Sequence, residues 1–182
     1  MTENQNQMDD NRTTDRSMLT GMFRDRESTE HAYNTMQERG YTKDDISLAM
    51  SDETRQKHFS DDVTELGTKA AEGAGKGGAI GGTVGAIVGV VAAIGSSLVI
   101  PGLGLVIAGP LAAGLAGAGA GSITGGIIGA LVGSGIPEER AKLYESGIKN
   151  GHIVMGVHPR NGEDATYFEN NWRNNKGEEI HS

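Results

Sequence analysis

GAGKGGAIGGTVGAIVG, residues 73–89, and GAGAGSITGGIIGALVG, residues 117–133, each place a glycine at every fourth position. The first run is Gly73, Gly77, Gly81, Gly85 and Gly89; the second is Gly117, Gly121, Gly125, Gly129 and Gly133. On an α-helix this spacing lines the glycines along one slowly drifting face, where a second helix approaches until backbones touch. The opposite faces carry Ile80, Val84, Ile87, Val88 and Val91 in the first run and Ile123, Ile127, Ile128, Leu131 and Val132 in the second. The reading is a pair of glycine-zipper helices forming a hairpin. Each interior glycine costs about 0.8–1.0 kcal/mol against alanine in water, so close packing or a lipid environment must offset several kcal/mol per helix.

Between the runs lies SSLVIPGLGLVIAGP, residues 96–110, the most apolar part of the block. Leu98, Val99, Ile100, Pro101, Leu103, Leu105, Val106, Ile107 and Pro110 are read as the hairpin tip, with the two prolines breaking the helix. No Asp, Glu, Lys, Arg or His occurs from Gly77 to Pro137, a length that would hold two spans of about 20 residues. Hydropathy within it is modest, because Ile and Val contribute only about −0.3 to −0.6 kcal/mol each to insertion and Gly and Ala little. The expected partners are therefore a lipid membrane, entered fully or by a re-entrant hairpin, or further copies of the chain in a soluble homo-oligomer that hides the apolar tips.

The whole chain looks different from this block. Its 182 residues carry a net charge of −8, which gives no electrostatic basis for nucleic-acid binding. Cysteine is absent, which removes disulfides and thiolate sites. Residues 1–16 are polar, lack an apolar core of the signal-peptide kind, and are expected to be a disordered tail. The expected location is the cytoplasm, attached to or inserted in the inner membrane, without secretion.

The flanks read as α+β. In residues 17–51, Met18 to Phe23 suits a strand, Asp25 can cap a helix bearing Ala32, Tyr33 and Met36 on one face, and Gly40 supplies the stop. Ile46, Leu48 and Met50 then alternate as a half-buried strand. Residues 52–69 form a polar connector with a helical turn near Thr54 to Phe59, and residues 70–135 hold the hairpin. In residues 136–182, Pro137, Glu138 and Glu139 open a helix striped by Ala141, Tyr144 and Ile148. A strand over Ile153 to Val157, a helix with Ala165, Phe168 and Trp172 on one face, and a short edge strand over Glu178 to His181 follow. Each flank thus offers strand-helix-strand, and together they predict a ferredoxin-like split β-α-β sandwich interrupted by a long glycine-zipper helical hairpin.

Candidate chemistry is thin. Gly73 to Gly78 matches G-x-G-x-x-G, but no strand precedes it and no acidic residue follows at about 20 positions, so the match is compositional. Gly75-Lys76 lacks the Ser or Thr of a phosphate loop. His152 and His158 share a strand face at roughly 20 Å, too far apart for one metal. Asp61-Asp62 and Glu138-Glu139 are sequence neighbours that do not face each other on a helix. Tyr144, Phe168 and Trp172 read as core residues. The expectation is a non-enzyme with no catalytic residues, no cofactor, no metal and no small-molecule substrate. A ligand-binding module on the sheet is an alternative supported by fold analogy alone.

The layout also resembles a known family. FRDRESTEHAYNTMQERGYTKDDISLAM over residues 23–50, the IPG and AGPLAA pieces at residues 100–102 and 108–113, and GIPEERAKLYESGIKNG over residues 135–151 are similar to bacterial general-stress proteins of the heat-induced YflT type. Relatives described as low-temperature-induced belong with them. The resemblance covers roughly Met18 to Trp172. It implies a stress-response role and a ferredoxin-like domain interrupted by a glycine-rich hairpin, with no catalytic residues to carry over.

Overall fold

Local chemistry starts and stops the helices as the residue types dictate. In a computed structural model, which describes residues 18–59, 98–100, 102–118 and 125–182, the chain begins with strand β1 (Leu19–Phe23) and helix α1 (Arg26–Glu38). The Asp25 carboxylate accepts the Ser28 N–H at 2.8 Å, a bond that caps α1 and holds this carboxyl below its ordinary range. Strand β2 (Ile46–Ser51) and helix α2 (52–59) follow. The second described part comprises strands β3 (Leu98–Ile100) and β4 (Leu105–Ala108), then helices α3 (Pro110–Ala118), α4 (Gly126–Gly133) and α5 (Glu138–Lys149). Strand β5 (Ile153–Val157), helix α6 (Gly162–Asn174) and strand β6 (Glu178–His181) complete it.

The architecture is α+β, built on a six-stranded sheet of order β3-β4-β2-β5-β1-β6 in which every neighbouring pair is antiparallel. Strand β5 lies between β1 and β2, so α1 crosses over β5 to join them. Strand β1 lies between β5 and β6, so α6 crosses over β1. Both crossovers run on one face, where Ala32, Tyr33, Met36, Phe168 and Trp172 meet Leu19, Phe23, Leu48 and Met155. Phe59 of α2 joins this cluster. The other face is covered by α3, α4 and α5 through Leu111, Leu115, Ile127, Leu131, Tyr144 and Ile148 against Met22, Ala49, Ile107 and Val154.

Cover on both faces corrects the expectation that β2 is half-buried. All residues from Ile46 to Met50 are buried, as are those of β5. The polar member of the alternation is accommodated because the Ser47 hydroxyl accepts the Leu111 N–H at 3.2 Å.

The assignment of residues 98–110 to the tip of a helical hairpin is also corrected. Leu98, Val99 and Ile100 pair with Ile107, Val106 and Leu105, closing a β-hairpin through Gly102, Leu103 and Gly104. Strand β4 then pairs with β2, Leu48 opposite Ala108 and Ser51 opposite Leu105. Leu105 and Ile107 enter one core and Val106 and Ala108 the other, so a strand covered twice reads as an unbroken apolar run. Pro110 opens α3 rather than breaking a helix. Pro101 lies outside the described residues.

Gly109 makes the β4–α3 corner feasible. Its φ is +75°, and a Cβ there would stand 2.1 Å from the Ile46 carbonyl oxygen. Both the backbone conformation and the close approach of two main chains require glycine. Gly109→Ala is therefore expected to lower unfolding free energy by about 2–4 kcal/mol in urea titration, through backbone strain plus displacement of α3 from β2. An unchanged midpoint would show that the corner opens without cost.

Candidate functional site

The glycine runs were the sequence's strongest functional signal, and only part of them falls among the described residues. Gly73, Gly77, Gly81, Gly85, Gly89 and Gly121 lie outside them. Gly117 belongs to α3. Gly125 precedes α4, while Gly129 and Gly133 are within it. The second run is not one continuous helix from Gly117 to Gly133, because Gly126, which opens α4, has φ +70°, a value outside the right-handed helical region.

Helix α4, GIIGALVG, has no polar side chain. Ile127, Ala130 and Leu131 point into the core, whereas Ile128, Gly129 and Gly133 are half-buried and Val132 is 41% exposed. Leu143 of α5, 45% exposed, adds to the apolar surface of the same helical layer. The C-terminus of α4 is tied to α3 by Ser134, whose hydroxyl lies 3.1 Å from the Leu111 carbonyl oxygen and 2.8 Å from that of Ala130. Among the described residues, no helix is long and apolar enough to cross a membrane.

Sequence reading missed a second cluster, where the end of α1 meets the start of α6. The buried Asp164 carboxylate accepts from Tyr41 Oη at 2.8 Å, from Asn161 Nδ2 at 3.1 Å and from the Arg39 guanidinium. Asn161 Oδ1 caps α6 by accepting the Asp164 N–H at 2.7 Å. Tyr41 Oη in turn accepts the Arg160 N–H at 2.7 Å. Arg160 stacks 4.2 Å above the Tyr41 ring, and Arg39 stands 4.0 Å above that of Tyr167.

Burial pushes the Asp164 pKa up, but the bonds from Tyr41, Arg39 and Asn161 outweigh it and leave the carboxyl below its ordinary value. Burial raises the Tyr41 phenol. An ionised carboxylate and a protonated phenol, each already engaged, make a clasp between elements that are 123 residues apart. They are not poised as an acid–base pair near neutrality. Only the Asn161 cap was legible in principle, as Asn ahead of Gly-Glu-Asp after a strand.

Among the described residues, no group of three or more His, Cys, Asp or Glu could hold an ion. His152 is half-buried with Nδ1 3.4 Å from the Met22 sulfur, and His158 is exposed. Tyr144 and Trp172 are fully buried, and Phe168 packs edge-on to Tyr41 at 5.0 Å.

Asp164→Asn removes the charge that Arg39 faces while preserving size. The expected loss is about 1–3 kcal/mol at pH 7. Because the folded carboxyl titrates below its unfolded value of about 4, its stabilisation is complete above that value and disappears as pH falls through the folded-state pKa. The difference between parent and variant in urea titrations should therefore shrink between about pH 5 and pH 2. A difference independent of pH would assign the loss to shape rather than to charge.

No protein-family model, curated protein or solved structure matches this chain.

Proposed function

We propose that this chain is a non-enzymatic stress-response protein that self-assembles through the outer face of its glycine-rich helices. The observation that carries the reading is α4, a helix without a polar side chain that leaves Val132 41% exposed beside the half-buried Ile128, Gly129 and Gly133. A surface of this kind on a helix layer favours contact with another apolar surface over contact with water. Glycine at two of those positions lets the incoming helix approach closely.

Supporting the α+β part, strands β2-β5-β1-β6 with crossovers α1 and α6 follow the order of a ferredoxin-like split β-α-β sandwich. Strands β3 and β4 and helices α3, α4 and α5, all between β2 and β5 in the chain, then belong to the insertion, extending the sheet at β2 and covering its second face. The non-enzymatic part is supported by the Asp164–Tyr41 cluster, in which, among the described residues, the two groups are engaged with each other and with Arg39 and Arg160. The stress-response part is supported by the resemblance over residues 18–172. Membrane attachment is the competing use of the same apolar surface.

Light scattering on detergent-free protein should show a discrete assembly. Val132→Lys should weaken that assembly by about 10- to 100-fold, the effect of losing burial worth about 1.5–3 kcal/mol, with little change in the thermal midpoint of the fold. A monomer at every concentration would overturn self-assembly. Recovery of the parent, but not the variant, in carbonate-washed membranes would assign the face to lipid instead.

A further inference from the structure

Four helices end with the same backbone device. The residue after the C-cap turns left-handed, and the following N–H reaches back to the carbonyl five residues earlier. In α1 the left-handed residue is Gly40 (φ +79°), with Tyr41 N–H donating to Met36 at 3.1 Å. In α4 it is Gly135 (φ +93°), with Ile136 donating to Leu131 at 3.1 Å. In α5 it is Gly151 (φ +86°), with His152 donating to Gly147 at 2.9 Å. In α6 it is Lys176 (φ +62°), with Gly177 donating to Trp172 at 2.7 Å. Helix α6 alone of these four uses a residue whose Cβ opposes the conformation.

Glycine is adjacent, at 177, but that position has its own requirement: a Cβ there would lie 2.7 Å from the Trp172 carbonyl oxygen. Two residues on, Glu179 within β6 also has positive φ, +49°. It coincides with a register shift, where β6 pairs through Thr20–His181 and Met22–Glu178. A three-residue turn, 175–177, thus feeds a four-residue edge strand, and the pair holds both positive-φ non-glycine residues among those described.

Strand β6 is nevertheless well held, by groups outside that turn. The Tyr144 hydroxyl lies 2.9 Å from the Glu179 carbonyl oxygen, Arg140 pairs with Glu179 at 3.0 Å, and Arg24 pairs with Glu178 at 2.8 Å. Ile180 packs against the core beside Trp172 and Gly21. All these holding groups belong to β1, α5, α6 or the loop after β1, so they receive a β6 from another copy as well as their own.

We propose that β6 exchanges between two copies of this chain. Residues 175–177 straighten, Lys176 leaves the left-handed region, and each β6 pairs with β1 of the other copy in a closed two-fold dimer. The exchange preserves the strand's contacts and releases the strain of the turn, conditions under which strained short hinges favour swapping.

The absence of cysteine makes the exchange directly readable. Thr20 and His181 are register partners, so Thr20→Cys/His181→Cys in the full chain reports which copy supplies β6. Protein is refolded at a series of concentrations, diluted to one common low concentration, oxidised, and run without reductant. The covalent dimer should increase with refolding concentration. Lys176→Gly in this background relieves the closed turn and should reduce the dimer-to-monomer ratio by about 5- to 30-fold. Lys176→Pro forbids positive φ and should raise it. A disulfide confined to one chain at every concentration, including in Lys176→Pro, would overturn the proposal. So would no disulfide at all, since β6 would then not lie on β1. Assembly through α4 leaves the disulfide within one chain, so the two associations are read separately.

Discussion

Residues 153–157 have to find partners on both sides before the sheet has a centre. Strand β5 takes β1 on one edge, with Leu19 opposite Val157, and β2 on the other, with Ile46 opposite the same Val157. The other strands depend on this pairing, because β6 attaches to β1, while β4 and then β3 extend from β2. Neither flank of the chain therefore owns a sheet: the first supplies two strands that do not touch each other, and the second supplies the strand that joins them. The Asp164 clasp reinforces the same join from the loop side, connecting Arg39 and Tyr41 of the first flank to the cap of α6 in the second.

Once the sheet is assembled its two faces have different chemistry. The face under α1 and α6 carries the large aromatic residues, including Phe23 edge-on to Trp172 at 5.7 Å, under helices with charged outer surfaces. The face under α3, α4 and α5 is filled by aliphatic residues and Tyr144, and the first two of those helices expose only small or apolar groups where they are described. Close approach is arranged locally. A Cβ on Gly147 would stand 1.9 Å from the Met22 sulfur, and one on Gly21 would stand 2.9 Å from the Trp172 ring. These contacts set how near α5 and α6 lie to β1.

Where the sequence was legible, a local rule had no competitor. Asp25 and Gly40 mark helix ends through chemistry that operates within four or five residues, and the first flank's elements lie where those residues put them. Where it misled, two patterns were degenerate. A strand covered on both faces, such as β4, shows no alternation, so LVIA could not be distinguished from helix by its period. Glycine at every fourth position describes a helix face only if the backbone stays helical, and Gly126 shows glycine used instead for a conformation that breaks one. The isolated glycines at 21, 109, 147 and 177 carried no periodic signal, although each has a neighbour pressed against it. The Asp164 cluster was invisible for a simpler reason: its members are local in space and remote in sequence.

The central position of β5 also sets an order in time. A chain emerging from a ribosome presents β1, α1 and β2 early, but the strand that must lie between β1 and β2 is made more than a hundred residues later. Until then the β3–β4 hairpin and helices α3 and α4, the least charged part of the molecule, have only an incomplete sheet to cover. Contacts so distant in sequence form slowly, and uncovered apolar segments in the interval are where misassociation begins. The topology that gives the finished fold its double cover thus leaves the β3–β4 hairpin and helices α3 and α4 without their complete partner surface until β5 has been made.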